Sequence, residues 1–212
     1  MSVSQTNEAA LEAYIERYLT GEITAAATRG VAENANQGYD GNRWRRGNPS
    51  DFNAEFALDE AMFWNFLENT QGKELEKLHY KPDWKRQVVE RLHRKLKKDG
   101  ILTVLKKGLD VDNAHFDLLY RLPYNTLNPE VQQKFESNIF SVTRQVHYSV
   151  ADRLLSIDMV LFVNGLALAT LELKNPWTGQ NVNHAKKQYR EDRDPNETLF
   201  QFRRCLVHSH WV

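Results

Sequence analysis

Apolar residues recur at helical spacing early in the chain. Leu11, Tyr14, Ile15, Tyr18 and Leu19 share one stripe of the segment Glu8–Leu19, with Thr6 or Asn7 as N-cap and Gly21 just past its end, so the pattern predicts an amphipathic helix. Between Glu22 and Asn53 the period is lost among Gly30, Gly38, Gly41, Gly47 and Pro49, which predicts an irregular connection, a long loop or a lid. Helical spacing returns over Leu58–Asn69, and again from Asp83, where Trp84, Val88, Leu92 and Leu96 line one face up to Gly100. From His115 the texture changes to strands over His115–Leu122, Asn138–Val150, Ile157–Val163, Leu166–Lys174 and Arg203–His208. Helices are expected over Asn128–Glu136 and over Val182–Asp192, the latter with Ala185, Gln188, Tyr189 and Asp192 on one stripe and Pro195 closing the segment. The alternation predicts an α/β fold with helices around a mixed sheet.

Composition narrows this. A chain of 212 residues with 41% hydrophobic and 26% charged positions can bury one sizeable core. Lys plus Arg equals Asp plus Glu at 28 each, so any attraction to nucleic acid must rest on how charge is distributed. The basic run Lys85, Arg86, Arg91, Arg94, Lys95, Lys97 and Lys98 reads first as a solvated helix face. Cys205 is the only cysteine, which excludes an intramolecular disulfide; with no charged-then-apolar leader over Met1–Asn7, the expected location is the cytoplasm. No apolar run approaches the roughly 20 residues that cross a bilayer, so no membrane partner is expected. No Gly-x4-Gly-Lys-Ser/Thr loop is present, so this chain carries no such ATP motor.

The chemistry concentrates on two strands. Ile157–Val163 is apolar on both faces apart from Asp158, and Leu166–Lys174 places Glu172 and Lys174 on one face of an otherwise Leu, Ala and Thr run. Ionised groups set into such strands need a partner, because burying one alone costs several kcal/mol. The turn Asn164-Gly165 leaves two registers open. A regular two-residue hairpin sets Asp158 opposite Leu171, on the face away from Glu172; a three-residue loop with Gly165 in a G1 bulge sets it opposite Thr170, with Glu172 diagonal on the same face. If the acids converge, they can hold one or more Mg²⁺ ions through hard oxygen ligands, with the Leu173 carbonyl beside them and Lys174 stabilising charge on a phosphate.

Asp158 followed by Glu172-Leu173-Lys174 across a hairpin resembles the PD-(D/E)xK nuclease motif. The surrounding text is more specific. Ser156–Gly165 (Ser-Ile-Asp-Met-Val-Leu-Phe-Val-Asn-Gly), Leu171–Pro176 (Leu-Glu-Leu-Lys-Asn-Pro), His184–Asp192, Asp59–Leu67 with Thr70-Gln71, and Val142–Val146 are similar to the N-terminal region of the restriction subunit of type I restriction enzymes. The resemblance spans about 51–208. It implies a restriction-endonuclease-like mixed sheet flanked by helices, and a single nuclease domain in which 1–50 is the N-terminal helix and connection, 51–110 the helical part and 111–212 the sheet with the catalytic hairpin. It implies that Asp158, Glu172, Lys174 and Gln188 are catalytic, that Asp158, Glu172 and the Leu173 carbonyl hold Mg²⁺, with Mn²⁺ as a substitute, and that Lys174, Gln188 and Tyr189 contact DNA. The family spaces its Gln and Tyr as Gln-x-x-x-Tyr, whereas Gln188 and Tyr189 are adjacent, and Ile157 stands where the motif has proline.

The function so implied is a metal-dependent endonuclease acting on foreign double-stranded DNA beside methyltransferase and specificity subunits, with ATP needed only by the full-length parent enzyme. The restriction subunit is longer, with a motor after its nuclease, so the chain is expected to be a fragment or truncated product. The alternative is a catalytically inactive module that binds DNA or a partner. Without the flanking text, Asp158, Glu172 and Lys174 would read as a buried ion-pair network. Glu8 and Glu12 on the first helix read first as exposed acids, although an acid on an early helix approaches the metal site in some related nucleases, and His184, His208 and His210 share no metal-ligand spacing.

Overall fold

The computed structural model describes residues 3–23, 44–124, 127–174, 187, 193–202 and 205–210. Helix α1 (Val3–Leu19) is followed by β1 (Trp44–Arg46), a 3₁₀ turn (Pro49–Asp51), β2 (Phe52–Asn53) and β3 (Leu58–Asp59). Helices α2 (Glu60–Glu76), α3 (Trp84–Asp99) and α4 (Ile101–Lys107) come next, then the hairpin β4 (Leu109–Val111) and β5 (Ala114–Phe116). Helix α5 (Pro129–Glu136) precedes β6 (Phe140–His147), β7 (Ser156–Val163) and β8 (Leu166–Lys174); α6 (Thr198–Gln201) and β9 (Cys205–His210) complete the set. Seven strands form one mixed sheet along the path β1-β6-β7-β8-β3-β2, with β9 pairing parallel to β8; β4 and β5 form their own two-stranded sheet. The protein is thus a mixed α/β fold of the restriction-endonuclease-like kind.

Local chemistry accounts for the helix ends. Asp59 accepts a hydrogen bond from Met62 N and caps α2, Asn128 accepts from Glu130 N and Val131 N at the start of α5 with Pro129 at the first turn, and Gly100 ends α3 at φ 78°. Helix α3 buries Val88, Val89, Leu92 and Leu96 against the large core, each contributing about 1.5–3 kcal/mol. That core also takes Ile157, Val160 and Phe162 from β7. The opposite face of the sheet presents Val142, Met159, Leu171 and Leu173 to Leu11, with Ile15 and Leu19 of α1 packed around them.

Two expectations change. Of the segment read as a strand over His115–Leu122, only His115 and Phe116 pair, and they join β4 rather than the main sheet. Side-chain amides explain why: Gln71 donates to Asp117 O (2.8 Å) and accepts from Asp117 N (2.7 Å). Asn138 does the same for Tyr120, and Asn164 Nδ2 donates to Leu118 O, so this backbone is satisfied without a strand partner. The stretch expected to be irregular before Asn53 contains β1, which pairs in parallel with β6, Trp44 opposite Phe140. The Val182–Asp192 helix lies outside the described residues except for Lys187, which is helical and exposed.

Candidate active site

The β7–β8 hairpin turns through Asn164 and Gly165 at φ 50° and 78°, the two positive values of a type I′ turn, with Val163 flush against Leu166. Glycine is required at the second position because a Cβ there would lie 2.4 Å from Asp59 O and 2.6 Å from Phe63 N. Asn164 is fully buried, and its side chain accepts from Ile139 N (2.7 Å) while donating to Leu118 O and Asn138 Oδ1.

The flush turn is the register that opposes convergence of the acids, yet it does not persist. Phe162 faces Ala167, but Leu161 faces Ala169, so Leu168 is an extra residue in β8 and every later pair shifts by one. Met159 faces Leu171, which brings Asp158 level with Glu172. The odd shift therefore comes from a bulge inside the strand and not from a longer loop, and it sets Asp158 and Glu172 level without turning both carboxylates to one face.

A second irregularity lies on the other side of β7. The pairs Arg144↔Met159 and Val146↔Ile157 skip Gln145 and Asp158, and Gln145 has φ 49°. Met159 packs on the α1 side while Ile157, two residues away, packs in the large core, so strict alternation breaks at Asp158. Freed from the ladder, the half-buried Asp158 carboxylate accepts the Leu173 N–H at 2.7 Å. It is thereby tied to the peptide that follows Glu172.

Helix α1 brings a third acid. Glu12 is 3% exposed, accepting from Arg144 Nε (3.1 Å) and Gln145 Nε2 (2.8 Å). Burial raises its pKa above the ordinary carboxylate value, and the negative charge of Asp158 adds to the rise against the opposing pull of Arg144 and Gln145. Glu16 is also buried and faces Arg46 at 3.0 Å. Of the two readings open for Glu12, the exposed acid is excluded. Glu8, Glu12 and Glu16 follow one another at four-residue spacing beside the apolar stripe of α1, and that pattern is the signal that could have shown it.

Glu172 is 1% exposed and, alternating with Leu171 and Leu173, points away from α1. Its Oε1 accepts a short hydrogen bond from Arg193 Nη2, and Arg193 Nη1 donates to Tyr148 Oη at 2.7 Å. Burial disfavours the Arg193 charge, but Glu172 and Tyr148 outweigh it and leave the guanidinium pKa above its ordinary value. Ser149 Oγ donates to Glu197, fastening the loop after β6 to the segment after Arg193. Arg193 had no part in the reading of the sequence, where Lys174 would neutralise an acid only on the alternative of a buried ion-pair network. The Lys174 backbone pairs with His210 on β9; its side chain, with Gln188, Tyr189 and His184, lies outside the described residues.

The structure thus brings together Asp158, the β8 backbone around Glu172 and Leu173, and Glu12, while Arg193 holds the Glu172 carboxylate. Among the described residues, no group of three or more His, Cys, Asp or Glu side chains is gathered to hold a metal. The donor chemistry nonetheless suits a hard divalent cation: Asp158 and Glu12 repel one another at a buried position, and the Leu173 peptide offers a carbonyl beside them.

A mixed sheet flanked by helices, with acids set on a bulged central hairpin, defines a protein of the restriction-endonuclease-like class. The family model for the type I restriction enzyme R protein N terminus matches residues 33–210, and the chain belongs to this family. No curated protein and no solved structure matches it significantly. No helix among the described residues is long and apolar enough to cross a membrane.

Proposed function

We propose that this domain is the endonuclease of a type I restriction system, hydrolysing phosphodiester bonds of double-stranded DNA. The observation that carries the reading is the bond from Leu173 N–H to Asp158, which ties one acid to the peptide adjoining the other in a chain of this family. Asp158 and the Leu173 carbonyl are the residues that would hold Mg²⁺, or Mn²⁺ in its place, with Glu172 joining them only where Arg193 releases it; when bound, such an ion supplies Lewis-acid stabilisation of the phosphate and activates water. Glu12 orients Arg144 and Gln145 beside this position. Lys174, on the same strand, stabilises charge that develops on the phosphate, and Gln188 and Tyr189 serve DNA contact. Methyltransferase and specificity subunits are its partners in the parent enzyme, which acts in the cytoplasm and spends ATP in a separate motor.

A second reading, a catalytically inactive module that binds DNA or a partner, is favoured by one observation: Arg193 already neutralises the buried Glu172. Nicking of supercoiled plasmid in Mg²⁺ and in Mn²⁺ separates the two. The nuclease reading expects nicking that Asp158→Ala and Lys174→Ala each abolish; a folded, metal-binding chain that leaves the plasmid intact supports the module instead.

A further inference from the structure

Charge that balances over the whole chain is strongly segregated on α3. Its sixteen residues carry seven Lys or Arg and two acids. With Val88, Val89, Leu92 and Leu96 turned into the core, Arg91, Arg94 and Lys98 are exposed at positions i, i+3 and i+7, forming one stripe about 10 Å long. The stripe borders two adjoining clefts of about 450 and 260 Å³ that share Arg91, Arg94 and Asp110.

The acids nearby are already engaged. Asp110 contacts His115 at 2.6 Å and Lys95 at 3.8 Å, Asp112 contacts Lys81 at 2.5 Å, and Glu90 contacts Arg86 at 2.7 Å. Asp99, half-buried, is the remaining acid at the rim of the smaller cleft. Among the described residues, Arg91, Arg94 and Lys98 make no ion pair, unlike Lys85, which reaches Glu68 at 3.1 Å. A solvated face needs no such alignment of unpaired cations along a concave surface. A polyanion with regularly spaced charge is complementary to it, and duplex DNA presents one charge per about 1.7 Å of axis.

We propose that the Arg91–Arg94–Lys98 stripe grips the sugar-phosphate backbone of duplex DNA without reading its sequence. It is a contact surface separate from Asp158 and Glu12, since α3 packs on the large core and α1, with Glu12, on the opposite face of the sheet. Three side chains with no fixed carboxylate partner displace counterions from three phosphates, which contributes affinity and no base discrimination. The proposal rests on the reading of this chain as a DNA-acting domain, but not on its being catalytic.

The test is binding of the full chain to a fluorescent duplex, in EDTA so that nothing is cleaved, across about 50 to 200 mM NaCl. The triple variant Arg91→Gln, Arg94→Gln, Lys98→Gln should flatten the slope of log K against log salt by about 2.7, so that affinity falls about 40-fold less over that range than in the unaltered chain. Arg91→Lys with Arg94→Lys keeps the charge and should keep the slope. A control with the same charge change at exposed Lys73, Arg121 and Arg153 should leave it nearly unchanged. An unaltered slope in the folded stripe variant, an equal loss in the control, or no duplex binding by the unaltered chain each overturns the proposal. Plasmid nicking scores the catalytic reading separately: a chain that nicks without using the stripe sinks only this inference, and one that binds through the stripe without nicking sinks only the other.

Discussion

Replacing Arg193 by Met should be among the most destabilising single changes outside the apolar core. The Arg193 and Glu172 side chains are 7% and 1% exposed, and Arg193 also donates to Tyr148 Oη and lies 5.1 Å from the Tyr148 ring centroid. Methionine fills much of the volume but removes the guanidinium from which Glu172 Oε1 accepts. Breaking one partner of a buried pair costs about 3–5 kcal/mol, chiefly because the remaining charge is uncompensated. With a slope near 2 kcal/mol per molar urea, the unfolding midpoint should fall by about 1.5–2.5 M. Adding Glu172→Gln removes the carboxylate charge that Arg193 balanced, so the double variant should be more stable than Arg193→Met alone, with a coupling of about 1–3 kcal/mol. Equilibrium urea unfolding of the four proteins measures this cycle directly. A cost below about 1 kcal/mol for Arg193→Met, or strictly additive effects of the two substitutions, would refute the argument that Arg193 is the resident counterion of Glu172.

Three further outcomes are expected. Gly165→Ala should destabilise by about 1 kcal/mol for the left-handed backbone and a further 1–3 kcal/mol for pushing Asp59 and Phe63 apart, read as a lowered thermal midpoint; an unchanged midpoint would mean that the turn relaxes freely. The pKa of Asp59 is raised by burial, with a smaller rise from Asp51 and an opposing bond from Met62 N, so its stabilising contribution is complete below about pH 3.8 and is lost as pH rises through the higher folded value. Asp59→Asn keeps the helix cap and cannot titrate; its stability relative to the unaltered chain should therefore increase with pH across that window, and a flat difference in denaturation midpoints would contradict the sign. Mg²⁺ at a hundredfold excess over its dissociation constant should stabilise the chain by about 2.7 kcal/mol, and Asp158→Ala should abolish that gain in a melting experiment; equal stabilisation of both proteins would place the ion elsewhere.

Much of the fold is legible in the sequence. The bounds of β8 are those the alternation predicts, Gly100 does end the third helix, and α5 does end at Glu136. These features are local: a period of two, a left-handed glycine and a helical period need no knowledge of what packs against them. Strands of two or three residues, such as β1 to β3, have no period to detect, and α4 begins directly after Gly100 with no side-chain cap to announce it. The segment after Phe116 has the apolar and aromatic content of a strand, but Gln71, Asn138 and Asn164, distant in sequence, take up its backbone groups.

The sequence by itself determined where charged residues interrupt the apolar strands. An acid in a doubly covered strand, followed across a turn by Glu172-Leu173-Lys174 in flanking text similar to a known family, names the elements and the residue types. Tertiary structure alone decided how they meet. The parity that brings Asp158 level with Glu172 arises from the Leu168 bulge, and a bulge depends on how both neighbouring strands pack, which no spacing within β8 records. The cation on Glu172 comes from Arg193, the buried acid beside Asp158 comes from α1, and the break in alternation at Asp158 is set by Gln145 on β6. Each is a long-range pairing of charges or backbones, fixed only when burial makes an unpaired group costly.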